Sequence, residues 1–198
     1  MHEPEDDIAR GEMSAPAFRA AFAHVAALAA EAENPQLHAT LIMMCYTANP
    51  TSGRNWRNYY AEGAVQLIAW DCYNHAWRRG TYGTPENLLD RAVATSQEAG
   101  LPWGIAELGS LVGSRDPDGS GRAAWLRACG QYLTQRGARF VSYFDTKWQG
   151  NRPATTRRAV ARSVGRAGDR PDRALTSTVW GGGQGPSGCP WPRCPGDD

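Results

Sequence analysis

Pro102-Trp103-Gly104-Ile105-Ala106-Glu107-Leu108-Gly109-Ser110 decides how the chain is read. A Pro/Gly opening leads into a short apolar run, the pattern of a buried strand. The run ends on a carboxylate, Glu107, and Gly109 is placed to turn the chain. A glutamate has no packing reason to sit where a buried strand meets its loop. In a parallel α/β barrel, however, the C-terminal ends of the strands are where catalytic residues project. Glu107 is therefore a candidate catalytic carboxylate, and a second one is expected from another strand end.

Outward from that stretch the chain alternates. Thr84, with Pro85 at the first helical position, opens a helix that runs to Ala99 and stops at Gly100. Before it, Ala64 to Trp70 reads as a buried strand ending on Asp71-Cys72-Tyr73-Asn74, and His38 to Tyr46 as a strand buried on both faces. Trp56 to Glu62 is expected to form a short helix between those two strands. Further back, Ser14 caps a helix whose apolar stripe of Phe18, Phe22, Val25, Ala26 and Leu28 runs to about Glu33, where Asn34-Pro35 stops it. The first residues, Met1 to Asp7, supply polar side chains ahead of any expected element. Downstream, a helix is expected over Ala123 to Arg136 and a strand over Arg139 to Phe144, which ends on Asp145-Thr146-Lys147-Trp148. Such alternation with near-continuous apolar strands predicts an α/β fold with a parallel sheet. Four strands are too few to close a barrel, which takes eight.

The totals are neutral, at +1 over 198 residues, so nothing points to nucleic acid or a membrane surface. No stretch is long enough to span a bilayer, and no signal peptide is evident. Eight Trp and seven Tyr against four Phe is a surplus of amphipathic aromatics suited to stacking on carbohydrate. The five cysteines cannot all pair within the chain, and Cys45, Cys72 and Cys129 read as small buried residues. No cofactor or metal is implied.

Composition divides the chain at about residue 151. Residues 152–198 hold eight Gly, six Pro, eight Arg and only four acidic residues, without helical or strand period, and are expected to be disordered. Lys147 is the only Lys beside 20 Arg, a bias that suggests a GC-rich coding sequence. Cys189 and Cys194 lack the partner pair a zinc site needs.

Retaining glycosidases use two carboxyl groups, a nucleophile and a general acid/base, about 5–5.5 Å apart. Glu107 is one candidate here, and Glu3 or Glu5 the other. The arrangement resembles the C-terminal half of a family 26 glycoside hydrolase or a close relative, in the β-mannanase-related clan of (β/α)8 retaining glycosidases. In that family a His-Glu pair closes the fourth strand, as His2-Glu3 would. The sixth strand ends Asp-x-Tyr, as in Trp70-Asp71-Cys72-Tyr73, preceded by a segment like Tyr59-Tyr60-Ala61-Glu62-Gly63-Ala64-Val65. The seventh ends Glu-apolar-Gly, as in Ala106-Glu107-Leu108-Gly109, and a Trp after the eighth matches Trp148.

The resemblance covers residues 1 to about 151 and implies a partial TIM (β/α)8 barrel comprising about strands 4/5 to 8. It implies Glu107 as nucleophile and Glu3 as acid/base, with Tyr73 donating a hydrogen bond to Glu107. His2 and Asp71 would either support the catalytic carboxylates from behind or meet sugar hydroxyls, and Trp148 would floor the sugar. Trp56 and Trp77 are further stacking candidates, with packing the alternative. The implied activity is hydrolysis of a β-linked polysaccharide, β-mannan being one candidate. Pro4-Glu5-Asp6-Asp7 departs from the usual continuation of mannan-cleaving members and leaves the sugar open. On this reading the chain is a truncated barrel with an out-of-frame tail. It is expected to be impaired in activity and to self-associate through exposed barrel edges.

A second class is a non-catalytic glycan-binding or interaction fragment that uses the same aromatic loops. Asp116-x-Asp118-x-Ser120-Gly121 begins like a calcium loop, but its twelfth position is Arg127 where a bidentate Glu is required. No Gly-x-Ser-x-Gly elbow is present for a serine hydrolase.

Overall fold

Thr40–Met44 (β1), Leu67–Asn74 (β2), Trp103–Ser110 (β3) and Val141–Tyr143 (β4) lie side by side in sequence order, each neighbouring pair parallel. The structure is a computed structural model and describes residues 3–76 and 80–144. Helices α1 (Pro4–Ala9) and α2 (Ala15–Glu31) precede the sheet. Helix α3 (Pro85–Ala99) joins β2 to β3, and α4 (Ser120–Gln135) joins β3 to β4. The chain is thus α/β with a parallel four-stranded sheet, as its alternating pattern predicts. The expected tail over residues 152–198 lies outside the described residues.

Local chemistry sets the helix ends. The Ser14 hydroxyl accepts from the Ala17 N–H, and the Thr84 hydroxyl from the Asn87 N–H, both at 3.3 Å. Each such cap contributes about 1 kcal/mol. Pro16 and Pro85 occupy first-turn positions where no N–H is needed. Gly100 ends α3 with φ 68°, a left-handed conformation that other residues adopt at a cost. The N-terminal residues do form an element, α1, where only a polar lead-in was expected.

Right-handed crossovers between parallel strands in unbroken order put the connecting segments on one face of the sheet. Burial along β1 follows: Leu41 and Met43 are fully buried, whereas Thr40, Ile42 and Met44 are only half-buried. The expectation that residues 38–46 are buried on both faces is therefore corrected for β1, an outer strand of the sheet whose second face is only half-covered. On the first face Leu41, Met43, Trp70, Cys72, Ile105 and Leu108 share a single core with residues of α2, α3 and α4. Trp70 is the largest fully buried side chain, and its indole N–H donates to Ser96 Oγ on α3 at 2.8 Å. Ser96 in turn donates to the Ala92 carbonyl, so the Trp70 indole and the Ser96 hydroxyl are both paired.

Between β1 and β2 the chain makes short 3-10 turns at Cys45–Ala48, Pro50–Ser52 and Trp56–Asn58 instead of a helix over Trp56 to Glu62. The reason is local. Asn49 and Asn55 use their side-chain oxygens to bind the N–H groups of Thr51 and Arg57, and Gly53 turns at φ 67°.

Cys45 and Cys72 form a disulfide with a Cα–Cα separation of 5.1 Å, which corrects their reading as free buried thiols. Met44 is the register partner of Asp71, so the next residue of each segment falls within bridging reach. Closing a loop across 27 positions stabilises the fold by about 3–4 kcal/mol in the chain-entropy account. Cys129 is a buried free thiol on α4, as expected.

Candidate active site

Glu107 lies inside β3, which continues to Ser110, and not at its end as the sequence suggested. The reason is a bulge. Trp70 pairs with Ile105 and Asp71 pairs with Glu107, so Ala106 is an extra residue on β3. The same surplus shows toward β4, where Ile105 pairs with Val141 and Leu108 with Tyr143. Strict alternation from Ile105 would put Glu107 among the helices. The bulge moves it to the opposite face, beside Asp71 and Tyr73.

On that face the Tyr73 hydroxyl donates to Glu107 Oε2. Burial, the bond to Glu107, and the charges of Glu107, Asp71 and Glu3 all push the Tyr73 phenol far above its ordinary pKa. Tyr73 therefore remains a neutral donor. Its ring fits because residue 109 is glycine: a Cβ there would stand 2.9 Å from Tyr73 Cε1. Phe144 closes the other side, edge-on, with ring centroids 5.6 Å apart. Asp71 is buried at 4 % exposure.

Glu3 comes to this group from outside the sheet. Its N–H donates to the Ile42 carbonyl at 3.2 Å, on the outer side of β1. Its backbone adopts φ 49°, ψ 56°, a left-handed conformation that costs a non-glycine residue energy and that the surroundings must hold. Two neighbours in α1 do so. Glu5, 1 % exposed, accepts from the Met44 N–H at 3.0 Å and the Thr47 hydroxyl at 2.6 Å. Asp6 binds Arg54 at 2.8 Å, both side chains being largely buried. Burial pushes the Glu5 carboxyl above its ordinary pKa, against the pull of Thr47, backbone N–H groups and Arg54. Glu5 thus anchors the turn after β1, while Glu3 is the acidic residue of the pair whose charge reaches Tyr73.

The Asp116 loop is a helix-capping device. Asp116 accepts from the N–H groups of Gly121 and Arg122 and from the Tyr82 hydroxyl, at 2.8–2.9 Å. Burial acts to raise its pKa, but these donors outweigh it and hold the carboxyl below its usual range. The Tyr82 oxygen also accepts from the Gly113 N–H, which ties the loop after β3 to the segment after β2. The sequence showed a loop here that begins like a calcium loop, but not the partner Tyr82.

Trp56 packs away from the carboxylates. It meets Tyr60 edge-on, and Arg57 lies over its ring while pairing with Glu98 near the end of α3. Packing, the alternative reading for this residue, is what the contacts show. His2, Trp77 and Trp148 lie outside the described residues. A depression of about 480 Å³ lies elsewhere, between the end of α2 and the start of β1, lined by residues such as Ala26, Ala30, Leu37 and His38.

Among the described residues no helix is long and apolar enough to cross a membrane, and no group of three or more His, Cys, Asp or Glu is arranged to hold a metal. Neither a protein-family model nor a curated protein matches the chain.

Proposed function

We propose that the chain carries the catalytic face of a retaining glycoside hydrolase of the (β/α)8 type, similar to family 26, acting on a β-linked polysaccharide such as β-mannan. The observation that supports this is the Tyr73 hydroxyl donating to Glu107 with Asp71 and Glu3 close by. Gathering acidic groups from three segments of the chain onto one face costs stability, and such clusters mark sites of chemistry.

In this reading Glu107 attacks the anomeric carbon through the oxygen that Tyr73 does not bind, forming a glycosyl ester. Glu3, protonated, gives its proton to the departing glycosidic oxygen. As a carboxylate it then takes a proton from the water that cleaves the ester, and Glu107 leaves as the free carboxylate. Asp71 and His2 serve sugar hydroxyls, and Trp148 stacks on the sugar. The sheet supplies four of the eight strands, and the open edges of β1 and β4 take the remainder, from further chain or by self-association. Activity of this chain alone is expected to be low.

An activated 2-fluoro-β-glycoside tests the reading, because it traps the ester on the nucleophile. Peptide mass spectrometry is expected to find the label on Glu107, and Glu107→Gln to abolish both label and turnover while glycan binding persists. Glycan binding without turnover or label in the unaltered chain would favour the non-catalytic fragment instead.

A further inference from the structure

β2 and β3 run past the end of β1. The β1–β2 ladder stops at Met44 and Asp71, whereas β2 continues through Cys72, Tyr73 and Asn74 with β3 as its ladder partner. On the β1 side, the Cys45–Cys72 bond takes over where the ladder ends. Cys72 is fully buried and lies between Asp71 and Tyr73 in the chain. Cys45 opens the turn whose Met44 N–H and Thr47 hydroxyl are bound by Glu5 of α1. One covalent link therefore joins the two supports of the acidic cluster. On one side is the turn that anchors α1 and Glu3, and on the other is the strand segment that aims Tyr73 at Glu107.

We propose that the Cys45–Cys72 disulfide is the positioning bond of this cluster, and that its reduction separates Tyr73 from Glu107 and disarms the site. A dithiol reductant supplies the two electrons and two protons: the S–S bond breaks, Cys45 and Cys72 become thiols, and the reductant closes to its own disulfide. Released, the Cys45–Ala48 turn no longer restrains the end of β2, and the Tyr73 ring loses its fixed approach to Glu107. That disarming means loss of catalysis rests on the reading above; the placement of Tyr73 does not.

The test therefore reads Tyr73 itself. The full chain is labelled with 13C-tyrosine, and the Tyr73 ring-carbon signal is assigned by its absence in Tyr73→Phe. Its pH titration is followed before and after reduction with dithiothreitol, with circular dichroism reporting the fold. In the oxidised protein the signal is expected to stay that of a neutral phenol throughout the folded range. After reduction it is expected to titrate at least about one unit lower, as the hydrogen bond and buried charges are lost. An unchanged Tyr73 titration in reduced, folded protein would overturn the proposal. If reduction unfolds the chain, Cys45→Ala/Cys72→Val fills the space without the bond. Folded with a shifted Tyr73, that variant supports the positioning role. Folded with an unshifted Tyr73, or unfolded, it overturns that role, the last outcome leaving a general staple. A shift without any glycoside turnover in the oxidised protein would sink the enzymatic reading and leave the positioning bond standing.

Discussion

The two faces of β2 carry opposite chemistry within four residues. Trp70 and Cys72 face the helices, where an indole bonded to Ser96, a disulfide and aliphatic side chains close the core. Asp71 and Tyr73 face the other way, into a group of carboxylates that no packing argument requires. One strand is thus stabilised by its first face and spends part of that stability on its second. Altering each face in turn is expected to separate stability from site chemistry.

Trp70→Ala is expected to have the largest effect, a loss of about 3–5 kcal/mol of stability by chemical denaturation, because it empties the centre of the core. A loss below 1 kcal/mol would mean that this face does not carry the fold. Gly109→Ala lies on the second face and should cost less, about 1–3 kcal/mol, as its Cβ drives into the Tyr73 ring. The same variant should bring the ionisation of the Tyr73 phenol back down toward its ordinary range, a readout that general destabilisation leaves alone while the protein stays folded.

Asp116→Asn provides a control carboxylate outside the cluster, with an expected cost of about 1–3 kcal/mol from weakened charge-assisted hydrogen bonds. Its sign with pH is fixed. The folded-state pKa of Asp116 is lowered, so its stabilisation is full above the ordinary carboxylate range and fades as pH falls through the lowered value. In Asp116→Asn that part of the acid limb of a stability–pH curve should flatten. Tyr73→Phe should be the mildest for stability, within about 0.5–1.5 kcal/mol, yet it removes a donor to Glu107 Oε2. If Tyr73→Phe proved as destabilising as Trp70→Ala, the division between the faces would fail.

How much of this was legible beforehand varies with the range of the interaction. Ser14 and Thr84 announced their helices because a cap and the N–H that donates to it lie three residues apart. The Glu107 and Asp71–Tyr73 motifs were readable as candidates, because polar residues inside apolar runs stand out. Their meeting was expected only from the family resemblance and not from the residues themselves, since it depends on Ala106 being surplus to the ladder, and a bulge is a property of two paired strands. Residue type left Glu3 and Glu5 open, and the resemblance favoured Glu3; burial and partners then set the two apart, Glu5 anchoring the turn after β1 and Glu3 placing its charge near Tyr73.

The sequence by itself determined the alternation of strands and helices, the helix caps, the burial of Cys129 and the residues able to do chemistry. Those features rest on side-chain type and on contacts within a turn or two of the chain. Only the tertiary structure decided which face of β3 receives Glu107, that Cys45 reaches Cys72, and that Gly109 must lack a side chain for Tyr73 to cross it. Each of these is settled between segments far apart in sequence, where register and close approach, not residue type, determine which atoms meet.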